Sequence, residues 1–406
     1  MGLFVYFFPI IISLSLNKEW DKEQKDLDLQ IEETLRLFPN HENFDIFEYS
    51  EEINNDTLLI YKLVDFALND LIGRKVKIQI VEQNKLNNFL SILSIEYNSN
   101  TNRKMNPYHN IFHASNVVQN LYLYLLKSKN NIPLLFEDTY NKQKEEKEIQ
   151  TNINYRDLDI FALIIAAACH DFRHPGRDKN FYKNYKDKVP FAKILKEYDY
   201  KLEPYHFEES KKLIEKMGLL ELLNKYQKER FYKIMQMAIY GTDNSINKKH
   251  AEDIITYKDI INTNSTNLAK EKIKSSINLN INTNMKNDYA NQAIDDIKLT
   301  IFRAFLHAAD ISISTKSRYY FIIWSDRISE ERCEQSKEIH SIDQTKEINC
   351  IGKDEEKYRD SVNKFFENIG DIFFIPFCEV FSNLNYLCEY YEKNKKFFQG
   401  KEKIHK

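Results

Sequence analysis

Three separate segments of this chain carry histidines and aspartates of the kinds that bind metal ions. His109 and His113 are four residues apart, His170 and Asp171 are adjacent, and Asp310 lies far from both pairs. Imidazole nitrogens combined with carboxylate oxygens suit a divalent cation that activates water. Because the segments are distant in sequence, any shared chemistry requires a fold that brings them together.

Each segment alone is a weak indication. A pair of histidines at i, i+4 shares one face of a helix, but most such pairs are ordinary core or surface residues. The His-Asp pair is more specific, because it follows the apolar run 164–169 and precedes Pro175 and Gly176, which break the chain. A carboxylate leaving an apolar helix there is costly unless it is paired or bound to metal. Asp310 likewise ends an amphipathic helical pattern. Six of the 10 histidines lie near these three segments, and this clustering favours a metal site over scattered core histidines.

The elements that must position these residues are predicted to be helices. With only 8 Gly and 8 Pro among 406 residues, the chain has little material for the many tight turns of an all-β fold. Apolar residues recur instead at spacings of three and four, and one run is apolar nearly all round, as in a buried helix. We therefore predict a compact all-α domain of many helices. The clearest patterns cover residues 57–72, 80–97, 159–169, 207–223, 226–240 and 293–310.

Charge and cysteine content narrow the class of protein. A formal net charge of −3 gives no global basic field, so no nucleic-acid partner is expected. Five cysteines without regular spacing argue against a disulfide framework. We interpret them as unpaired thiols in a reducing, cytoplasmic compartment.

The first residues allow two interpretations. Residues 2–16 are almost entirely apolar, but a spanning helix needs about 20 such residues. The segment also lacks the basic residues and cleavage site of a signal peptide. One interpretation is a membrane anchor, or the remnant of one, that tethers a cytoplasmic domain. The other is an incidental apolar segment. The sequence does not predict an oligomeric state.

The rest of the chain divides by composition. Residues 17–43 are expected to be a charged linker, 44–395 the main domain, and 396–406 a basic tail. Two polar stretches, 128–153 and 244–292, are predicted to be low-complexity loop insertions, the second partly disordered. Such runs seldom carry chemistry, and we assign none to them.

Taken in order, the motifs resemble the catalytic domain of class I 3′,5′-cyclic nucleotide phosphodiesterases, within the HD-domain superfamily of metal phosphohydrolases. The resemblance covers most of the chain outside the N-terminus and the polar insertions. It implies an HD-domain-like all-α fold. Its motifs are residues 106–114, 170–176, 241–243, 307–312 and 324–328.

The resemblance implies a metal-dependent reaction. His113, His170, Asp171 and Asp310 would bind a tightly held Zn²⁺, and Asp171 would bridge to a second ion, Mg²⁺ or Mn²⁺. A hydroxide between the ions would attack the phosphorus of cAMP, cGMP or both. His109 would protonate the departing 3′ oxygen as general acid.

The resemblance also implies supporting roles for five residues. Glu203 would orient His109, and His174 would hold metal-bound water. Tyr108 and Ile328 would line the substrate pocket. Asn368 is the candidate for contacting the base, in place of the glutamine that the family uses.

The base pocket departs from the family at two positions. Ile313 stands where the family has an asparagine after the metal-binding aspartate. The glutamine position becomes Asn368 if the chain is aligned on Gly370, or Phe366 if it is aligned on Pro376. Neither alignment restores a glutamine.

Two other functions remain open from the sequence. One is an HD-domain phosphohydrolase that acts on another phosphoester. The other is a non-catalytic cyclic nucleotide sensor. His109 beside the full ligand set favours an enzyme, because a protein that only binds would not need a general acid.

Overall fold

The computed structural model describes residues 38–42, 44–98, 106–138, 153–263, 265–276, 283–351, 354–400 and 404. Within these ranges the chain is helical and contains no β-strand, so the all-α prediction is confirmed. The α-helices are α1 Ile46–Ile53, α2 Asp56–Leu71, α3 Arg74–Ile80, α4 Gln83–Asn98, α5 Ile111–Ser128, α6 Tyr155–Cys169, α7 Lys179–Asn184, α8 Phe191–Leu195, α9 Leu202–Lys216, α10 Lys225–Tyr240, α11 Asn247–Thr256, α12 Lys258–Ile261, α13 Thr266–Ser276, α14 Thr283–Asp310, α15 Arg318–Ile342, α16 Glu355–Phe365, α17 Asp371–Val380 and α18 Asn385–Gln399.

The centre of the domain is α6. From Leu158 to Cys169 each of its residues is at most 1% exposed. It packs against α2, α5 and α10, which is why its sequence is apolar on every side. The helix ends at His170, so the His-Asp pair emerges from the most deeply buried part of the fold.

A buried ionic network joins α6 to α14. The guanidinium of Arg230, on α10, lies 2.8 Å from both oxygens of Asp159 on α6. It also lies 2.7 Å from Oδ2 of Asp295 on α14. Lys298, on α14, lies 3.0 Å from Asp159. Because α6 leads into Asp171 and α14 ends at Asp310, this network fixes the two helices that carry aspartates of the candidate metal site.

We expect the substitution Arg230→Met to lower the free energy of unfolding by about 3–5 kcal/mol, because it leaves two buried carboxylates with fewer cations. Chemical denaturation followed by circular dichroism measures this change. Lys233→Met is the matched control, since Lys233 is half-exposed and lies 3.8 Å from the same Asp295. It should cost less than about 1 kcal/mol. Equal losses in the two variants would contradict the importance of the buried network.

The prediction of a loop over 244–292 is wrong for most of its described residues, because α11, α12 and α13 lie there. The sparse apolar residues of this polar segment are spaced three or four apart and face the core: Ala251, Ile254, Ala269 and Ile273. Helix α11 packs against α17, and α13 packs against α14. A few buried residues per helix suffice because neighbouring helices cover them.

The stretch 128–153 is only partly described. Helix α5 ends at Ser128, and residues 133–135 form a short 3₁₀ turn with Leu134 and Leu135 buried. Residues 139–152 lie outside the described residues, so the loop prediction there stays a prediction.

The interpretation of the cysteines as unpaired thiols is wrong for four of the five. The structure pairs Cys333 with Cys350 and Cys378 with Cys388, and Cys169 is a buried free thiol. The first pair joins α15 to the segment that follows it, and the second joins α17 to α18. Chain reversals after α15 and α17 bring the partners together, which irregular spacing in the sequence does not reveal.

The apolar segment 2–16 and most of the expected linker 17–43 lie outside the described residues. Among the helices that are described, none combines the length and the apolar character needed to cross a bilayer.

Candidate active site

The four predicted metal ligands come together at one point. Nε2 of His113 lies 3.0 Å from Oδ1 of Asp310 and 3.2 Å from Nε2 of His170. Oδ2 of Asp171 lies 3.4 Å from Nε2 of His113 and 3.2 Å from Nε2 of His170. One donor atom from each residue lies within 4.8 Å of the others. Segments nearly 200 residues apart thus contribute to one cluster.

Helix ends aim these side chains. Asn110 caps α5, accepting from the amide of Phe112 at 2.9 Å, and this places His113 in the first turn. His170 follows α6 directly and donates from Nδ1 to the carbonyl of Ala167 at 2.8 Å. That bond directs Nε2 towards the cluster. A metal-binding histidine commonly donates one ring N–H to a carbonyl or carboxylate, which leaves its other nitrogen for the metal.

The donor set fits a divalent cation. The two Nε2 atoms, 3.2 Å apart, meet two carboxylates in a place where His113 and His170 are fully buried. Two imidazoles with two carboxylates are nitrogen and oxygen ligands of the kinds that a divalent cation such as Zn²⁺ takes, and water could bind only if the cation takes more than four ligands. Burial alone would raise the pKa of Asp310, but the bonds to His113 and His170 hold that pKa well below its usual range. The carboxylate is therefore ionised and available as a ligand.

A second possible cation position shares Asp171. Donor atoms of His109, Asp171 and His174 also lie within 4.8 Å of one another, and of these Asp171 and His174 can bind a cation while His109 is protonated. The rings of His109 and His174 stack with centroids 3.8 Å apart. Burial, followed by the charge of His109, lowers the pKa of His174 well below its usual value, so His174 is neutral there.

His109 is oriented by Glu331, a residue that the sequence did not indicate. Oε1 of Glu331 pairs with Nδ1 of His109. Its Oε2 accepts from the backbone amides of Tyr108 and His109, both at 3.0 Å. The carboxylate therefore fixes both the ring and the backbone of His109, which leaves Nε2 as the nitrogen that can serve a substrate.

The same carboxylate controls the charge of His109. Burial alone would lower the pKa of His109, but the negative charges of Glu331 and Asp171 outweigh it and raise the pKa to about 9. Burial would raise the pKa of Glu331, but the charge of His109 lowers it to about 2. The two residues form an ion pair at neutral pH, with His109 protonated.

The prediction that Glu203 orients His109 is wrong. Glu203 lies at the start of α9, on the cavity wall beside Asp243, and Glu331 takes the orienting position. Burial, followed by the charge of Asp243, raises the pKa of Glu203 to about 7. Its Oε2 is buried without a hydrogen-bond partner among the described residues.

The cluster opens into a cavity of about 350 Å³. The predicted pocket residues Tyr108 and Ile328 line it, as do His109, His174 and Glu203. The ring of Tyr108 lies against His113, with centroids 4.5 Å apart. Ile313, which the resemblance places in the base pocket, also lines the cavity, as do residues that the sequence did not indicate: Glu331, Gln335, Phe365 and Ile369.

Asn368 does not line this cavity, so its prediction as a base contact is wrong. Its side chain is exposed and donates to the carbonyl of Lys364 at 2.8 Å. A π-helical turn, Phe366–Gly370, joins α16 to α17. In this turn Ile369 faces the cavity and Asn368 faces solvent.

One buried amide links the two sides of the cavity. Asn247 donates from Nδ2 to the carbonyl of Ile369 at 2.8 Å. Its Oδ1 accepts from Nε2 of His307 at 2.9 Å, and His307 precedes Asp310 by one helical turn. Asn247 therefore satisfies a carbonyl that the wider π-helical turn exposes.

Comparison with known proteins agrees with this geometry. Residues 108–391 match the family described as 3′5′-cyclic nucleotide phosphodiesterase. A 3′,5′-cyclic-nucleotide phosphodiesterase, regA, of Dictyostelium discoideum is 27% identical, over 72% of this chain and 29% of that protein. The probable 3′,5′-cyclic-AMP phosphodiesterase pde-4 of Caenorhabditis elegans is 26% identical, over 88% of this chain and 45% of that protein. This chain spans less than half the length of either relative.

A solved structure shares the fold. The phosphodiesterase domain of the rhodopsin phosphodiesterase of Salpingoeca rosetta aligns with a TM-score of 0.61 at 18% identity, covering 91% of this chain and 93% of that domain. The family match spans the ligand cluster, His109 and Glu331. The chain therefore belongs to the 3′,5′-cyclic nucleotide phosphodiesterase family.

Proposed function

We propose that this chain hydrolyses a 3′,5′-cyclic nucleotide to the nucleoside 5′-monophosphate, and that residues 44–395 are its catalytic domain. The observation that carries the proposal is the imidazole of His109, paired through Nδ1 with Glu331, at the edge of the four-residue ligand cluster. A divalent cation in that cluster, Zn²⁺ by its donors, and a second one, Mg²⁺ or Mn²⁺, beside Asp171 would lower the pKa of water and neutralise phosphoryl oxygens.

The residues of the chain supply the proton that the leaving group needs. Water attacks phosphorus opposite the 3′ oxygen, the bond between phosphorus and that oxygen breaks, and the proton that the water loses passes to solvent, from which His109 is reprotonated. Nε2 of His109 gives its proton to the departing oxygen, while Nδ1 stays paired with Glu331. Because the pKa of His109 is about 9, the donor is charged at neutral pH.

Glu203 and His174 support the reaction from the cavity wall. The unpartnered Oε2 of Glu203 offers an acceptor to water or to a substrate hydroxyl near Asp171. His174 stacks on His109 and limits rotation of its ring. Tyr108 covers the ligand His113 and keeps that side of the cluster dry.

A different phosphoester is the second candidate substrate. The observation that favours it is that Ile313 stands where the family has an asparagine, and that Ile369 lines the cavity while Asn368 does not. In that case the ligand cluster and His109 would act on a substrate without a nucleobase.

We expect purified protein with Zn²⁺ and Mg²⁺ to release AMP from cAMP or GMP from cGMP, measured by chromatography. A chelator should abolish the activity and added cation should restore it, because the ligand cluster requires a metal. The His109→Gln variant should keep its metal content and lose about 100-fold or more in kcat.

The remaining outcomes separate the alternatives. Faster hydrolysis of a noncyclic phosphoester than of either cyclic nucleotide would identify another phosphohydrolase. Binding of cyclic nucleotide without turnover, by the metal-loaded protein, would identify a sensor.

A further inference from the structure

We infer that this enzyme discriminates little among nucleobases, so that purine and pyrimidine 3′,5′-cyclic nucleotides are all substrates. The inference rests on the proposed function and specifies its substrate class. It comes from four apolar side chains of the cavity lining, called here the apolar wall, and from nearby amide groups that are already bonded to the protein.

Four apolar side chains form this wall. Ile313 lies in the 3₁₀ turn that follows Asp310, and Ile328 lies on α15 one turn before Glu331. Phe365 and Ile369 lie four residues apart, at the end of α16 and in the π-helical turn. All four line the same cavity as the ligand cluster. Such a surface can hold the flat faces of a base, and every base has such faces.

The side-chain amides near this wall already form hydrogen bonds with other groups of the protein. Gln335 accepts from the backbone amide of Asp178 at 2.8 Å and donates to its carboxylate at 2.7 Å. Both polar atoms of the Asn247 side chain are bonded to the protein, one of them to Ile369 itself. Asn368 is turned to solvent. The hydroxyl of Thr242, which also lines the cavity, donates to Ile239 at 2.9 Å.

Asn244 is the remaining amide side chain among the described residues of the cavity lining. It is exposed and follows Asp243, which pairs with Lys179 at 3.2 Å. Asp243 in turn neighbours Glu203, which also lines the cavity. Asn244 therefore belongs to the polar side of the cavity.

The scarcity of available hydrogen-bonding groups on the apolar wall limits how strongly the site can discriminate between nucleobases. Adenine and guanine differ in the pattern of donors and acceptors on their edges, and proteins read that pattern with paired amide or charged groups. The cationic side chains of the cavity lining already have partners in the protein: Arg177 bonds Glu338, Lys179 bonds Asp243 and Arg332 bonds Ser361. A site that hydrogen-bonds its substrate rejects an analogue by about 10⁴-fold or more, whereas an apolar pocket discriminates by only about 10–200-fold. Stacking and apolar contact tolerate any base, with a modest loss for the smaller pyrimidines.

The test compares kcat/KM for cAMP, cGMP, cCMP and cUMP on the metal-loaded chain. We expect the two purine substrates to agree within about 10-fold and all four within about 100-fold. A spread above about 100-fold would overturn the inference and leave the proposed function intact. Absence of hydrolysis for all four would overturn both.

A substitution tests where the base lies. Ile369→Gln places an amide on the apolar wall, and we expect it to change the cAMP to cGMP ratio of kcat/KM by about 10-fold or more. The ratio does not depend on how much protein is folded. Ile375→Gln is the matched control, because Ile375 is 50% exposed on α17 and lies outside the cavity lining, and its ratio should stay at the wild-type value.

Two results would overturn the placement of the base. One is an unchanged ratio in Ile369→Gln. The other is a strong base preference in the wild type that disappears in Asn244→Ala, because base reading would then belong to the polar side of the cavity.

Discussion

Replacing Asp310 with alanine should reduce kcat for cyclic nucleotide hydrolysis by at least about 100-fold, together with the metal content of the protein. Oδ1 of Asp310 lies 3.0 Å from His113 and 3.4 Å from His170, at the centre of the ligand cluster. Loss of a residue that only supports a metal ligand typically costs about 10–100-fold, so loss of a ligand should cost at least that upper value. Steady-state kinetics and elemental analysis of the purified variant measure the two effects.

A surface carboxylate of the same helix provides the control for Asp310. Asp296 is exposed on α14 and accepts from Gln292 at 2.9 Å, so Asp296→Ala should keep both activity and metal. If Asp310→Ala retained full metal content and normal kcat, the ligand cluster would not be the reaction centre.

Replacing Glu331 with glutamine should reduce kcat by about 10–100-fold and move the alkaline limit of activity to lower pH. If His109 is the donor, as proposed, activity should fall on the alkaline side as His109 loses its proton, and Glu331 raises the pKa at which this happens. Glutamine carries no charge, and burial of His109 would then act without the main opposing carboxylate. The pKa of His109 falls, and the protonated donor is lost at lower pH.

The pH dependence of kcat in the two proteins distinguishes this role from simple loss of folding. A partly unfolded variant would lose activity at every pH without moving the alkaline limit. Glu330→Gln removes an exposed carboxylate from the adjacent position of α15 and should leave the profile unchanged. An unshifted alkaline limit in Glu331→Gln would show that Glu331 does not set the protonation of His109.

The ligand cluster was predictable because two of its parts follow or end an apolar helix, where an unpaired charge is unfavourable, while His113, at the start of α5, was indicated by its spacing from His109. His170, Asp171 and Asp310 therefore stand out in the sequence, and the helical periodicity predicted the all-α fold. Glu331 does not stand out in the same way. Helix α15 carries many acidic residues, and nothing local separates Glu331 from its exposed neighbours. Its role comes from a contact with His109 across 222 residues of sequence.

The base end of the cavity was not predictable for a geometric reason. A π-helical turn changes which residues share a face, so counting from Gly370 selected Asn368, which faces solvent. The helices of the segment 244–292 were missed because each buries only a few apolar residues. Hydrophobic periodicity is weak in such helices, although neighbouring helices still stabilise them.

The hydrogen bonds of Asn247 connect the helix that ends at Asp310, in the ligand cluster, to Ile369 on the apolar wall of the cavity. A shift of Ile369 away from a bound nucleotide moves the carbonyl that Asn247 holds, and through it His307 on the helix that ends at Asp310. Substrate affinity and the alignment of the metal ligands therefore depend on the same side chain, Asn247. We therefore expect mutations that reshape the apolar wall at Ile369 to change KM and kcat together.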